Sequence, residues 1–132
     1  MKNKIQGRLI SSQRYLDDNI VMDKALRFKV FIVDVIPVIL RGKQYTLLCN
    51  GHHNYAAAKL IGAEPQFRTP NKLAKAFNQY SQSEKETFVI NNLTDSDLYD
   101  VDTGEVIQEL LMPDMNNGVF QNKLTKGLRL YQ

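Results

Sequence analysis

Hydrophobic and polar positions alternate over two neighbouring stretches of this chain, and the period then changes abruptly at a glycine. Residues 28–40 are rich in β-branched and aromatic side chains, which suit a pleated, half-buried surface. Asp34 and Pro37 interrupt that run, and proline cannot donate to a ladder. The pattern predicts two short strands, or one strand bent with Pro37 near the start of its second half. Arg41-Gly42-Lys43 is short enough to fold the chain back as an antiparallel hairpin onto residues 44–49. There Tyr45, Leu47 and Cys49 alternate with Gln44, Thr46 and Leu48. Asn50-Gly51 ends the strand. From His52 the spacing becomes helical, with Ala56, Ala57, Leu60 and Ile61 on one face and Gly62 placed as the stop.

The flanking segments carry weaker signals. Residues 8–10 read as a short strand. Asp17-Asp18-Asn19 supplies a cap and first-turn acids for a helix through Ile20, Val21, Lys24 and Ala25. After a turn at Ala63-Glu64-Pro65, residues 66–69 read as a short strand, and Asn71 can cap a helix bearing Leu73, Ala74, Ala76, Phe77 and Tyr80. Ser83 and Glu86 have capping-box spacing for another helix through Ile90. Asp102-Thr103-Gly104 between residues 98–101 and 105–107 signals a second hairpin. Residues 113–118 read as a loop, and the remainder, with Lys123, Lys126 and Arg129, as a basic terminus. The expected fold is α/β (α+β): a small mixed sheet with flanking helices, in one domain spanning residues 1–132.

Composition narrows the classes. With 132 residues the chain can bury one real core but not two. The net charge of +3 is compatible with an anionic ligand yet too small to argue for nucleic acid unaided. The lone cysteine, Cys49, excludes an internal disulfide and fits a reducing, cytoplasmic setting. Residues 30–40 form the longest apolar run, too short to span a bilayer, so no membrane association is expected.

The strand–glycine–helix junction is where chemistry concentrates. A helix start carries unpaired backbone N–H groups and partial positive charge, which makes it a seat for anions. Here it is rimmed by two carboxamides, Asn50 and Asn54, and two imidazoles, His52 and His53, all able to donate to phosphate oxygens. A metal site is not expected: Cys49, His52 and His53 form an incomplete set, and neighbouring residues at a helix start point in different directions. Asp95, Asp97, Asp100 and Asp102 lack the register of a calcium loop.

Gly51-His52-His53-Asn54-Tyr55-Ala56-Ala57-Ala58-Lys59, followed by Leu60-Ile61-Gly62, resembles the signature box of the ParB/sulfiredoxin superfamily. The upstream Ile36-Pro37-Val38-Ile39-Leu40 and the hairpin match that family's order, and the resemblance covers residues 10–70. It implies a fold in which the box contacts the phosphates of a nucleotide, ATP, ADP or CTP with Mg, or of a nucleic acid. Gly51 matches the turn glycine and His53 the second basic position. His52 stands where sulfiredoxins carry their cysteine, and Cys49 does not match that nucleophile. Asn54 stands where most members have an arginine, and a neutral amide gives up a charge-assisted contact worth about 1.5–3 kcal/mol. Arg14 and Arg68 are the candidates to replace it.

Two functions follow as expectations. If the chain is an enzyme, it performs phosphoryl transfer or phosphodiester cleavage, with His53 holding phosphate, His52 acting as acid or base, and Asp17, Asp18 or Asp34 as partner. The alternative is a non-catalytic module that contacts DNA, a protein partner or a second copy of itself. A complete partition protein needs a downstream helix-turn-helix region, which this chain lacks room for. The expectation is a stand-alone ParB-like domain of a phage or other mobile element, with residues 71–132 as a helical and hairpin C-terminal extension.

Overall fold

The chain folds as a five-stranded mixed sheet with helices on both faces. The computed structural model describes residues 5–91 and 95–111. The elements run β1 (Arg8–Ser11), α1 (Asp18–Arg27), β2 (Ile32–Leu40), β3 (Lys43–Asn50), α2 (His52–Ile61), β4 (Gln66–Arg68), α3 (Asn71–Phe77), α4 (Gln82–Asn91) and β5 (Tyr99–Asp100). The strand order is β4-β2-β3-β1-β5. β2 and β3 form the antiparallel hairpin, β1 joins β3 and β4 joins β2 in parallel, and β5 pairs antiparallel with β1.

Alternation along β2 and β3 sorts the core onto two faces. Ile36, Val38, Leu40, Tyr45, Leu47 and Cys49 meet Phe77 of α3, Phe88 and Val89 of α4, and Leu98, Ile107 and Leu110. Val33, Val35 and Leu48 face the other way, toward Tyr55 of α2. α1 lies across α2, with Val21 and Phe31 packed on Ala57 and Ala58. Those small residues permit the close approach. The described part of residues 71–132 thus helps build the same core as the sheet.

β2 is a single strand, the second of the two expected forms, but its irregularity falls between Asp34 and Val35 and not at Pro37. β4 pairs only with Ile32, Val33 and Asp34, so among the described residues no strand continues that edge of β2 beyond this point. Pro37 sits in the open stretch, opposite Thr46, where a missing N–H costs no second ladder. Arg41 (φ 51°) and Gly42 (φ 78°) form the two-residue hairpin turn, both in the left-handed region that such turns require.

Helix starts agree with the sequence pattern only in part. Asp17 caps α1 as expected, accepting from the backbone N–H groups of Asn19 at 2.9 Å and Ile20 at 3.3 Å. Asp17→Ala is expected to cost about 1 kcal/mol, read as a lowered midpoint in urea unfolding. The capping box of α4 falls two residues early: Glu84 N–H donates to Ser81 Oγ, and Ser81 N–H to Glu84 Oε1. Glu86 is drawn away, accepting instead from the Arg41 backbone N–H at 3.0 Å. Asn71 is the first helical residue of α3, and Pro70 occupies the cap position.

Two further expectations shift. Leu60 and Ile61 are exposed, and the buried face of α2 is His52, Tyr55, Ala57 and Ala58, because α1 crosses above the alanines. The second hairpin shrinks to β5 and a single bridge between Tyr99 and Val106. Its turn is closed by the Asp100 carboxylate, which accepts from the N–H groups of Asp102 and Thr103. The expected loop at 113–118 and the basic terminus lie outside the described residues. Among the described residues, no helix is long and apolar enough to cross a membrane.

Candidate functional site

The junction between β3 and α2 is built almost entirely from backbone demands. Asn50 Oδ1 accepts from Gly51 N–H at 2.9 Å, stopping the strand. Gly51 takes φ 96° and ψ 29°, and its carbonyl accepts the first helical bond, from Tyr55 N–H at 2.8 Å. A side chain at Gly51 has no room, since a Cβ would lie 2.9 Å from the Ile32 carbonyl oxygen. No side chain caps α2, so its positive end is not neutralised from within the helix start. Opposite, the β2–β3 register shifts between Asp34 and Val35, beside the Asp34–Asn50 pair.

A cleft of about 350 Å³ opens at this point. Asn50, Gly51, His52, His53, Asn54 and Arg68 line it, joined by Gln13, Lys24, Ile32 and Asp34. Six of the seven ligand-binding candidates therefore meet in one place. Arg14 is not among them. Its guanidinium donates to the Gly104 carbonyl at 3.0 Å and Ser96 Oγ at 3.1 Å and stacks 3.8 Å above the Tyr99 ring, so it braces the second hairpin. Lys24 was missed by sequence reasoning. It arrives from α1, and only the packing of α1 on α2 brings it to the box.

Both imidazoles hold the fold together. His52 is 8% exposed, and its Nε2 shares a 2.8 Å hydrogen bond with the buried Ser11 hydroxyl. Burial pushes its pKa down to about 4, helped by neighbouring His53 and opposed weakly by Asp95. It is therefore neutral near pH 7. His53 Nε2 accepts the Asp17 backbone N–H at 3.0 Å, which in a neutral ring places the proton on Nδ1. This contact ties the start of α2 to the start of α1.

Of the three acidic candidates, Asp34 alone lines the cleft, and it is paired with Arg68 at 2.6 Å. Asp17 caps α1, and Asp18 stands in that helix's first turn. Asn54 donates from Nδ2 to the Ile32 carbonyl at 2.8 Å, while its Oδ1 is buried with no protein donor. Cys49 is buried, and burial first, with Asp34 second, pushes its thiol up to about 12, so it is no nucleophile.

No family model, curated protein or solved structure matches this chain. Among the described residues, no group of three or more His, Cys, Asp or Glu side chains could hold a metal ion. Of the four acids between residues 95 and 102, three are engaged within the protein. Asp95 accepts from the Arg14 and Tyr15 N–H groups, and Asp102 from the Tyr55 hydroxyl. Burial opposes ionisation of Asp100, yet the Arg8 guanidinium and two backbone N–H groups outweigh it and hold the carboxyl below its ordinary value. The cleft's charge balance is small. Arg68 and Asp34 cancel, which leaves Lys24 as a cation with no ion-pair partner among the described residues.

Proposed function

We propose that this chain is a ParB/sulfiredoxin-like module that binds the phosphate of a nucleotide or nucleic acid at the start of α2. The observation that supports it is the uncapped helix start opening into a polar cleft flanked by Lys24 and Arg68. Backbone N–H groups and the helix dipole favour an anion there, and Lys24 supplies the charge-assisted contact that Asn54 cannot. ATP, ADP and CTP, with Mg, are the small ligands this reading names. Binding is favoured over phosphoryl transfer or nuclease chemistry, because His52 and His53 both spend Nε2 on contacts within the protein. Such a module fits a cytoplasmic protein of a phage or other mobile element.

Calorimetric titration with ATP, ADP, CTP and short DNA duplexes tests this. Saturable binding is expected for at least one of them. Lys24→Ala should weaken it roughly tenfold to a hundredfold, the loss of one charge-assisted hydrogen bond. Binding unchanged in that variant would place the anion elsewhere. No binding to any probe would favour the alternative, a protein-interaction module or homodimer that keeps the fold alone.

A further inference from the structure

A second cleft, of about 560 Å³, lies beyond His52 between α1, α2 and the second hairpin. Its size is that of a small-molecule site. Val21, Leu48, Ala56 and Val101 give it an apolar wall, and Tyr55 and Tyr99 contribute aromatic rings. Its charged side chains and phenol hydroxyls are paired. The Tyr55 hydroxyl donates to Asp102, Lys59 pairs with the same carboxylate at 3.3 Å, and the Tyr99 hydroxyl donates to the Gln13 carbonyl at 2.8 Å. The cleft therefore offers no uncompensated charge and suits a flat, uncharged group. Gln13 and His52 line both clefts, so the polar one and the apolar one share a wall.

We infer that the two clefts form one bipartite site for the monophosphate ester of a flat, uncharged ring system. The phosphate sits at the start of α2, and the ring enters the apolar cleft past Gln13 and His52. The inference rests on the phosphate-binding reading above and narrows its ligand class. A single phosphate is specified because Arg68 is already neutralised by Asp34, so Lys24 is the one net cation among the residues lining the polar cleft. Further phosphates would meet the Asp34 carboxylate without new positive charge to balance them.

Titrations of the full chain with inorganic phosphate, adenosine, adenosine monophosphate and ATP decide it, repeated on Ala56→Phe and Lys24→Ala. The monophosphate should bind at least roughly tenfold tighter than either inorganic phosphate or adenosine, and ATP no tighter than the monophosphate. Ala56→Phe, which fills the apolar cleft, should remove the gain over inorganic phosphate and leave phosphate binding unchanged. Lys24→Ala should weaken phosphate and monophosphate together. If Ala56→Phe fails to fold, Leu60→Asp serves the same purpose. Leu60 is 57% exposed at the rim of this cleft, and a carboxylate there should reduce the same gain. Equal affinities for phosphate and monophosphate in the wild type would overturn the inference while leaving the phosphate seat standing. Absence of binding to both would sink the two together. ATP or a single-stranded oligonucleotide binding more than about tenfold tighter than the monophosphate would overturn the ligand class.

Discussion

Gly51→Ala is expected to destabilise the fold by about 3 kcal/mol or more, the largest effect of any single methyl group added at the site. Two causes add. The left-handed conformation costs a residue with a Cβ about 1–2 kcal/mol, and φ at Gly51 is 96°. The new Cβ would also stand 2.9 Å from the Ile32 carbonyl oxygen and 3.2 Å from Val33 Cα. Both obstacles are β2 backbone paired with β4 and adjoining the β3 ladder that begins at Asp34, so neither can retreat cheaply. Gly62→Ala separates the two causes, because Gly62 has φ 72° with nothing within 4 Å of its Cβ position. Urea unfolding should show the Gly62 variant losing only the conformational part. If Gly51→Ala costs no more than Gly62→Ala, the close approach of β2 to the α2 start is wrong.

Acid should destabilise the protein through His52 by about 3 kcal/mol between pH 6.5 and pH 4. The folded-state pKa is depressed, so in that window the unfolded chain binds a proton that the folded chain refuses. Stability from this group is present in full above the unfolded value of 6.5, falls as pH drops, and stops falling below about 4. The cause is burial of the ring beside the Ser11 hydroxyl, which strips an imidazolium of most of its hydration. The measurement is the unfolding free energy of wild type and His52→Gln at pH 7, 6, 5 and 4. The wild type should lose the additional 3 kcal/mol or so relative to the variant. Parallel pH profiles would mean that His52 is hydrated and free to titrate, which would restore it as an acid–base candidate.

The same residues show how far local pattern reaches. Alternation at Tyr45, Leu47 and Cys49, the break at Asn50-Gly51 and the stop at Gly62 are properties of neighbouring residues, and β3, the junction and α2 follow them closely. The Asp17 cap is likewise a two- or three-residue interaction, legible because the side chain reaches only its own helix. The mixed α/β class was readable for the same reason, as a count of strand-like and helical periods in order.

Tertiary packing decided what depends on distant partners. Pro37 lies inside a single strand because β4 ends before reaching it, and nothing near Pro37 in sequence encodes the length of β4. Glu86 lost its capping role to Ser81 and Glu84 because the Arg41 backbone competes for its carboxylate from 45 residues away. Arg14 and Arg68 looked equivalent as cations. Arg14 was taken by Tyr99 and Gly104, and Arg68 was brought to the cleft already paired with Asp34. Lys24 had no local mark at all. Its place beside the phosphate seat follows from the alanines of α2, whose small size lets α1 lie close enough to bring its lysine to the cleft.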